Sequence, residues 1–187
     1  MREPGRDRND IRGGELTRPD GSITLSSVIA HRIADGGRAG TREWVREFPL
    51  FKPEELFALV SDVESYPIFL PGCLNARIME RSGRVLRVEN VFGFGPMRTR
   101  FVSVAELAPP HRLDISSRDG PWRNFRLCWR FQPMNGGCRV SCTSSLELRS
   151  ALLAPLAKLS ENAIGNRLMA AFEARAEALF GRNRRRR

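Results

Sequence analysis

The stretch from Asn124 to Arg149 limits what this chain can fold into more than any other part of it. Phe125, Leu127, Trp129 and Phe131 occupy alternate positions, interleaved with Asn124, Arg126, Arg130 and Gln132. Beyond Asn135-Gly136-Gly137 the pattern resumes, with Val140, Cys142, Leu146 and Leu148 set against Arg139, Ser141, Glu147 and Arg149. Successive side chains of a strand point to opposite faces, so both segments read as strands with one apolar and one wet face. A connection this short makes them antiparallel. A sheet with a single apolar face has to be covered by another layer.

The cover lies downstream. From about Leu152 to Phe180 the apolar residues Leu156, Leu159, Ala163, Ile164, Leu168, Phe172, Ala176 and Leu179 form a helical stripe, with Pro155 near its start and Gly181 at its end. At roughly 1.5 Å per residue such a helix is about 40 Å long, enough to cross a curved sheet from end to end. Upstream, the chain from Cys73 to Arg149 is punctuated by Ser82-Gly83, Gly93 to Pro96, Pro109-Pro110, Asp119-Gly120-Pro121 and Asn135-Gly136-Gly137, which predicts consecutive antiparallel strands. Trp44, Val45 and Phe48 begin an earlier strand that Pro49 ends. A helix follows, with Pro53 in its first turn, Glu54 and Glu55 at the positive end of its dipole, and Leu56, Phe57 and Val60 as a buried stripe. Pro67 and Pro71 leave room for one more short helical turn. The predicted order is strand, two short helices, six strands, long helix.

Length and composition agree with one domain: 187 residues, 41% hydrophobic and 28% charged, suit a single core with tails. Residues 1–40 carry no sustained period and read as a disordered extension, residues 41–181 as the domain, and 182–187 as a basic tail. The formal charge of +10 is unevenly spread, because Arg182, Arg184, Arg185, Arg186 and Arg187 carry half of it. Contact with an anionic membrane or other polyanion is therefore expected chiefly of those arginines, the domain itself being only mildly basic. No apolar run reaches the roughly 18 residues of a membrane-spanning helix, and the N-terminus lacks a compact apolar segment behind a basic start. A cytoplasmic location, with peripheral contact at the inner face of the membrane, is the expectation.

Chemistry is thinly represented. Cys73, Cys128, Cys138 and Cys142 include no C-x-x-C pair, and His31 and His111 lie far from them, so neither zinc nor a disulfide framework is expected and the cysteines read as reduced core thiols. Catalysis needs a nucleophile with a base, or a matched acid and base, and no such set is visible. Gly93-Phe94-Gly95 lacks the strand-to-helix setting of a dinucleotide loop. Asp62 and Tyr66 are explained by helix capping and by amphipathic packing. No catalytic residue and no required cofactor is assigned.

Particular residues carry a family resemblance over Trp44 to Gly181. They are Asp62-Val63-Glu64-Ser65-Tyr66-Pro67 with Phe69-Leu70-Pro71 and Cys73; Phe101-x-Ser103-Val104; Gly120-Pro121-x-x-x-Phe125-x-x-x-Trp129-x-Phe131; Cys138-Arg139-Val140; and Met169-x-x-Phe172-x-x-Arg175-Ala176. In this order they resemble the START-like superfamily, and within it the coenzyme Q-binding and polyketide cyclase/dehydrase group, which includes the ribosome association toxin branch. Gly72 stands where that family often has an aromatic, and Thr99 where it often has an acid. The resemblance implies an α+β helix-grip fold, a curved antiparallel sheet of about seven strands with two short helices after the first strand and a long C-terminal helix over the concave face.

It also implies a cavity between sheet and helix for a hydrophobic ligand such as a polyprenyl quinone. The inward set that would line it is Phe69, Val88, Phe92, Phe101, Ile115, Phe125, Leu127, Trp129, Leu146, Leu148, Leu168 and Phe172, with Asn90 as a polar handle for a quinone carbonyl. Some of these residues are expected to be solid core, since any folded sheet needs an apolar inner face. The reading is a carrier of coenzyme Q or a precursor that supports respiration or quinone synthesis and is not an enzyme. The alternatives are a toxin-like protein that meets the ribosome and blocks subunit association, and a polyketide cyclase-like enzyme.

Overall fold

The computed structural model describes residues 41–150 and 163–181. The expectations for residues 1–40, for the helix before Ala163 and for the arginine tail lie outside the described residues.

Strand β1 (Thr41–Pro49) leads through Phe51 into helix α1 (Pro53–Ser61). The Lys52 N–H donates to Glu55 Oε2 at 2.8 Å, satisfying one of the donors exposed at a helix start. Leu56, Phe57, Leu59 and Val60 are buried, one more residue than the sequence stripe held. A 3₁₀ turn (Val63–Ser65) and the single turn α2 (Tyr66–Phe69) follow, confined by Pro67 and Pro71 as expected. Six strands then run in sequence: β2 (Cys73–Ser82), β3 (Val85–Phe94), β4 (Met97–Ala108), β5 (Arg112–Ser117), β6 (Trp122–Met134) and β7 (Gly137–Leu148). Every pairing is antiparallel, and β1 closes against β7 to give the order β1-β7-β6-β5-β4-β3-β2. This is the helix-grip architecture.

The expected turns hold with one shift. Gly93 stays within β3 opposite Arg98, and the reversal narrows to Gly95 and Pro96. Its value is close approach: a Cβ there would meet Leu74 Cδ1 at 2.8 Å. Gly72, by contrast, takes a φ of 82°, a conformation that suits glycine and strains the aromatic common at this place in the family.

Helix α3 (Ala163–Ala176) ends in a π-helical turn, Glu177–Gly181, and packs on β1, α1 and α2. Of the predicted stripe Phe172 and Ala176 are buried and Leu168 partly so, and Met169, which the stripe did not include, is buried beside them. Leu179, placed on that stripe by its spacing, is instead 44% exposed, because the last turn winds by five residues and carries Phe180 towards Phe51. The seating of α3 is set by Gly165, where a Cβ would come within 2.1 Å of the Trp44 indole, so helix backbone rests directly on that ring.

Candidate ligand site on the concave face

Strand register places the inward side chains in rows across the sheet. One row runs Leu113, Trp129, Cys142, Trp44 and is sealed throughout. The next runs Leu86, Ala105, Ile115, Leu127, Ser144, and the third holds Val88, Ser103, Ser117, Phe125 and Leu146. These two middle rows are built differently from the first. Ala105, Ser103, Ser117 and Ser144 are small, and the larger Ile115, Leu127, Phe125 and Leu146 between them stay partly exposed although they face inward. Among the described residues the concave face is thus less filled at its middle, a hollow between the rows.

Aromatic clusters bound the hollow on both sides. Towards α3, Phe172 contacts Tyr66, Phe69 and Trp129 edge-on, with ring centroids 5.5, 5.2 and 5.1 Å apart, and the Arg175 guanidinium lies 5.6 Å from the centre of Phe69. At the opposite end Phe92 stacks on Phe101 at 6.1 Å with an 18° tilt, while Trp122 and Phe125 pack against Phe101 and against each other at 5.1 Å. Edge-to-face and offset contacts of this kind add stability beyond area burial and fix ring orientation.

Of the residues picked out from sequence, Val88, Phe101, Trp129 and Phe172 are sealed into the core. Phe69, Phe92, Ile115, Phe125, Leu127, Leu146, Leu148 and Leu168 keep accessible surface. Arg182, Arg184, Arg185, Arg186 and Arg187 lie outside the described residues. The sequence reading passed over Ser103, Ala105, Ser117 and Ser144, whose smallness makes the hollow, and over Trp122.

Asn90 needs a correction. It does face inward, between Ala76 and Phe101. Its Nδ2, however, donates to the Val88 carbonyl (2.9 Å), to Ser103 Oγ (2.9 Å) and to the Phe101 carbonyl (3.4 Å). Both amide hydrogens are engaged, so it has no donor left for a quinone carbonyl.

The phenol and thiols near the hollow, among the described residues, are held in their neutral forms. The Tyr66 hydroxyl donates to the Val60 carbonyl at 2.5 Å, and burial, then the neighbouring Cys142 and Cys73, hold its proton well above the ordinary phenol range. Burial pushes the Cys73 and Cys138 thiols up to about 11 and Cys142 higher still, which removes the thiolate that reactivity requires. All four cysteines are free. His111 sits exposed between β4 and β5. Among the described residues no group of His, Cys, Asp or Glu could hold a metal, and no helix is long and apolar enough to cross a membrane.

A one-sided antiparallel sheet gripped by a helix, with small residues in its middle rows between two aromatic clusters, is the architecture of a START-like protein. The family model described as polyketide cyclase / dehydrase and lipid transport matches residues 51–173, and the chain belongs to that family. It is 31% identical over 137 residues to the coenzyme Q-binding protein COQ10 homolog B, mitochondrial, of Xenopus laevis; that match covers 71% of this chain and 56% of the relative. It is 29% identical over 130 residues to the ribosome association toxin RatA of Pseudomonas aeruginosa, covering 67% of this chain and 88% of the relative. A START superfamily protein of Mycobacterium smegmatis superposes with a TM-score of 0.66 at 18% identity, over 74% of this chain and 98% of that one, a likeness of fold.

Proposed function

We propose that the chain binds a lipophilic small molecule in the hollow of the concave face, a polyprenyl quinone such as coenzyme Q or one of its precursors, and serves as a carrier in respiration or quinone synthesis without catalysing a reaction. The observation that carries this reading is the pair of middle rows, where small residues leave Ile115, Leu127, Phe125 and Leu146 facing inward yet partly exposed. A solid core would seal them. Similarity to the COQ10 homolog supports a quinone over other lipids. The carrier is proposed to work in the cytoplasm with transient contact at an anionic membrane, aided by the arginines at 182 and 184–187, each contributing on the order of 1 kcal/mol near such a surface.

The reading is tested by titrating purified protein with a short-chain quinone. Trp122 and Trp129 stand at the two ends of the hollow, so saturable one-to-one quenching of indole emission is expected. Quenching that is linear and unsaturable, as with a collisional quencher, would contradict the proposal.

A second reading, contact with the ribosome, is favoured by the RatA relatives and by the convex face. There Arg126 and Arg130 are exposed and make no ion pair among the described residues. Arg118 and Arg126 are among the residues that line a depression of about 270 Å³, together with Val102, Val104, Ser116, Asn124 and, from the other face, Ser117 and Phe125. Sedimentation with purified ribosomal subunits and with anionic vesicles separates the two readings, since a carrier pellets with vesicles and not with subunits.

A further inference from the structure

Two buried polar side chains beside the hollow, Asn90 and Ser103, restrict the kind of ring it accepts. The Asn90 amide is turned by its surroundings: two of its three partners, the Val88 and Phe101 carbonyls, can only accept, so rotating the amide would set oxygen against oxygen. Oδ1 is therefore fixed as the free end of the group, and it accepts no hydrogen bond from any described residue. Ser103 Oγ already accepts from Nδ2, which leaves its own proton to donate, and no described residue takes it. Ser103 Oγ lies 2.9 Å from Nδ2 of the amide that carries Oδ1, so a single ligand hydroxyl could donate to Oδ1 and accept from Ser103. Flat apolar faces stand beside them, since Phe101 is the cross-strand partner of Asn90 and stacks on Phe92.

From this geometry we infer that the site selects prenylated rings bearing a phenolic hydroxyl, a hydroquinone or a monophenol, over the fully oxidised quinone. The inference rests on the lipid-binding reading above and deepens it. A quinone carries acceptors only, and docked here it leaves the Asn90 oxygen desolvated and unmatched. A phenolic O–H satisfies it. Leaving one buried acceptor unpaired costs more than an ordinary hydrogen bond yields, so the preference should be on the order of tenfold.

The test uses the full chain and three ligands with the same short prenyl tail: the benzoquinone, its hydroquinone kept under anaerobic conditions, and the monophenol. Calorimetric Kd values should be about tenfold lower for the hydroquinone and the monophenol, and Asn90→Leu should bring the three within about twofold of one another. Equal binding of quinone and hydroquinone by the unaltered protein would overturn the inference while leaving the pocket intact. A preference that survives in Asn90→Leu would also overturn it, by removing the assignment to this amide. Binding of none of the three would overturn the carrier reading and the inference together. The unaltered protein alone decides between the first and third outcomes, so the test stands even where the variant does not fold.

Discussion

Leu127→Trp separates a pocket from a core. Leu127 faces inward between Ile115 and Ser144, with Ala105 beyond Ile115. In a solid core the larger ring would strain its neighbours by about 1 to 3 kcal/mol. A chain of this size shifts by about 2 to 4 °C per kcal/mol, so Tm would fall by roughly 2 to 12 °C. In a hollow the indole instead removes some 50 Å² more apolar surface from water, worth about 1 kcal/mol, which offsets its lost rotamer freedom and holds Tm within about 3 °C. The ligand pays the difference: losing about 100 Å² of wall at about 25 cal/mol/Å² weakens binding by about 2.5 kcal/mol, roughly 70-fold. Thermal unfolding and quinone titration on the same preparation read both quantities. A Tm lower by more than about 5 °C, or unchanged affinity, would refute the reasoning.

Two further outcomes are expected. Gly165→Ala, which in an exposed helix interior would gain up to about 1 kcal/mol, should instead lower Tm by several degrees and shift Trp44 emission, because the new methyl meets the indole at 2.1 Å; a stabilised variant would mean that α3 does not rest on that ring. The buried thiols make stability fall at high pH: Cys73 and Cys138 keep their protons up to about 11, above the ordinary value of 9.0, so their contribution is complete below about pH 9 and is lost as pH rises through 11. Urea midpoints that do not fall between pH 9 and 11 would contradict this.

Much of the fold is legible in sequence because alternation and turn residues are local signals. Phe125 to Phe131 announces its face without help from any other segment. The hollow is less legible, because it is made by what is missing: Ser103, Ala105, Ser117 and Ser144 obey the same period of two, but a search for apolar residues passes over serine. Trp122 was missed for a different reason. Counting by twos from Asn124 puts it on the wet face, whereas a bulge between Trp122 and Asn124 turns it inward beside Phe101 and Phe125. Asn90 was legible as an inward residue, but which end of its amide is free depends on carbonyls from β3 and β4 that only register brings together.

Mass spectrometry of organic extracts from the full chain, purified without added lipid or detergent, decides whether the hollow holds a lipid. A prenylated ring compound is expected in near-equimolar amount from the unaltered protein, with a strongly reduced yield from equally folded Leu127→Trp. Extracts that contain no such compound, or that contain it in the same amount from both proteins, would contradict it.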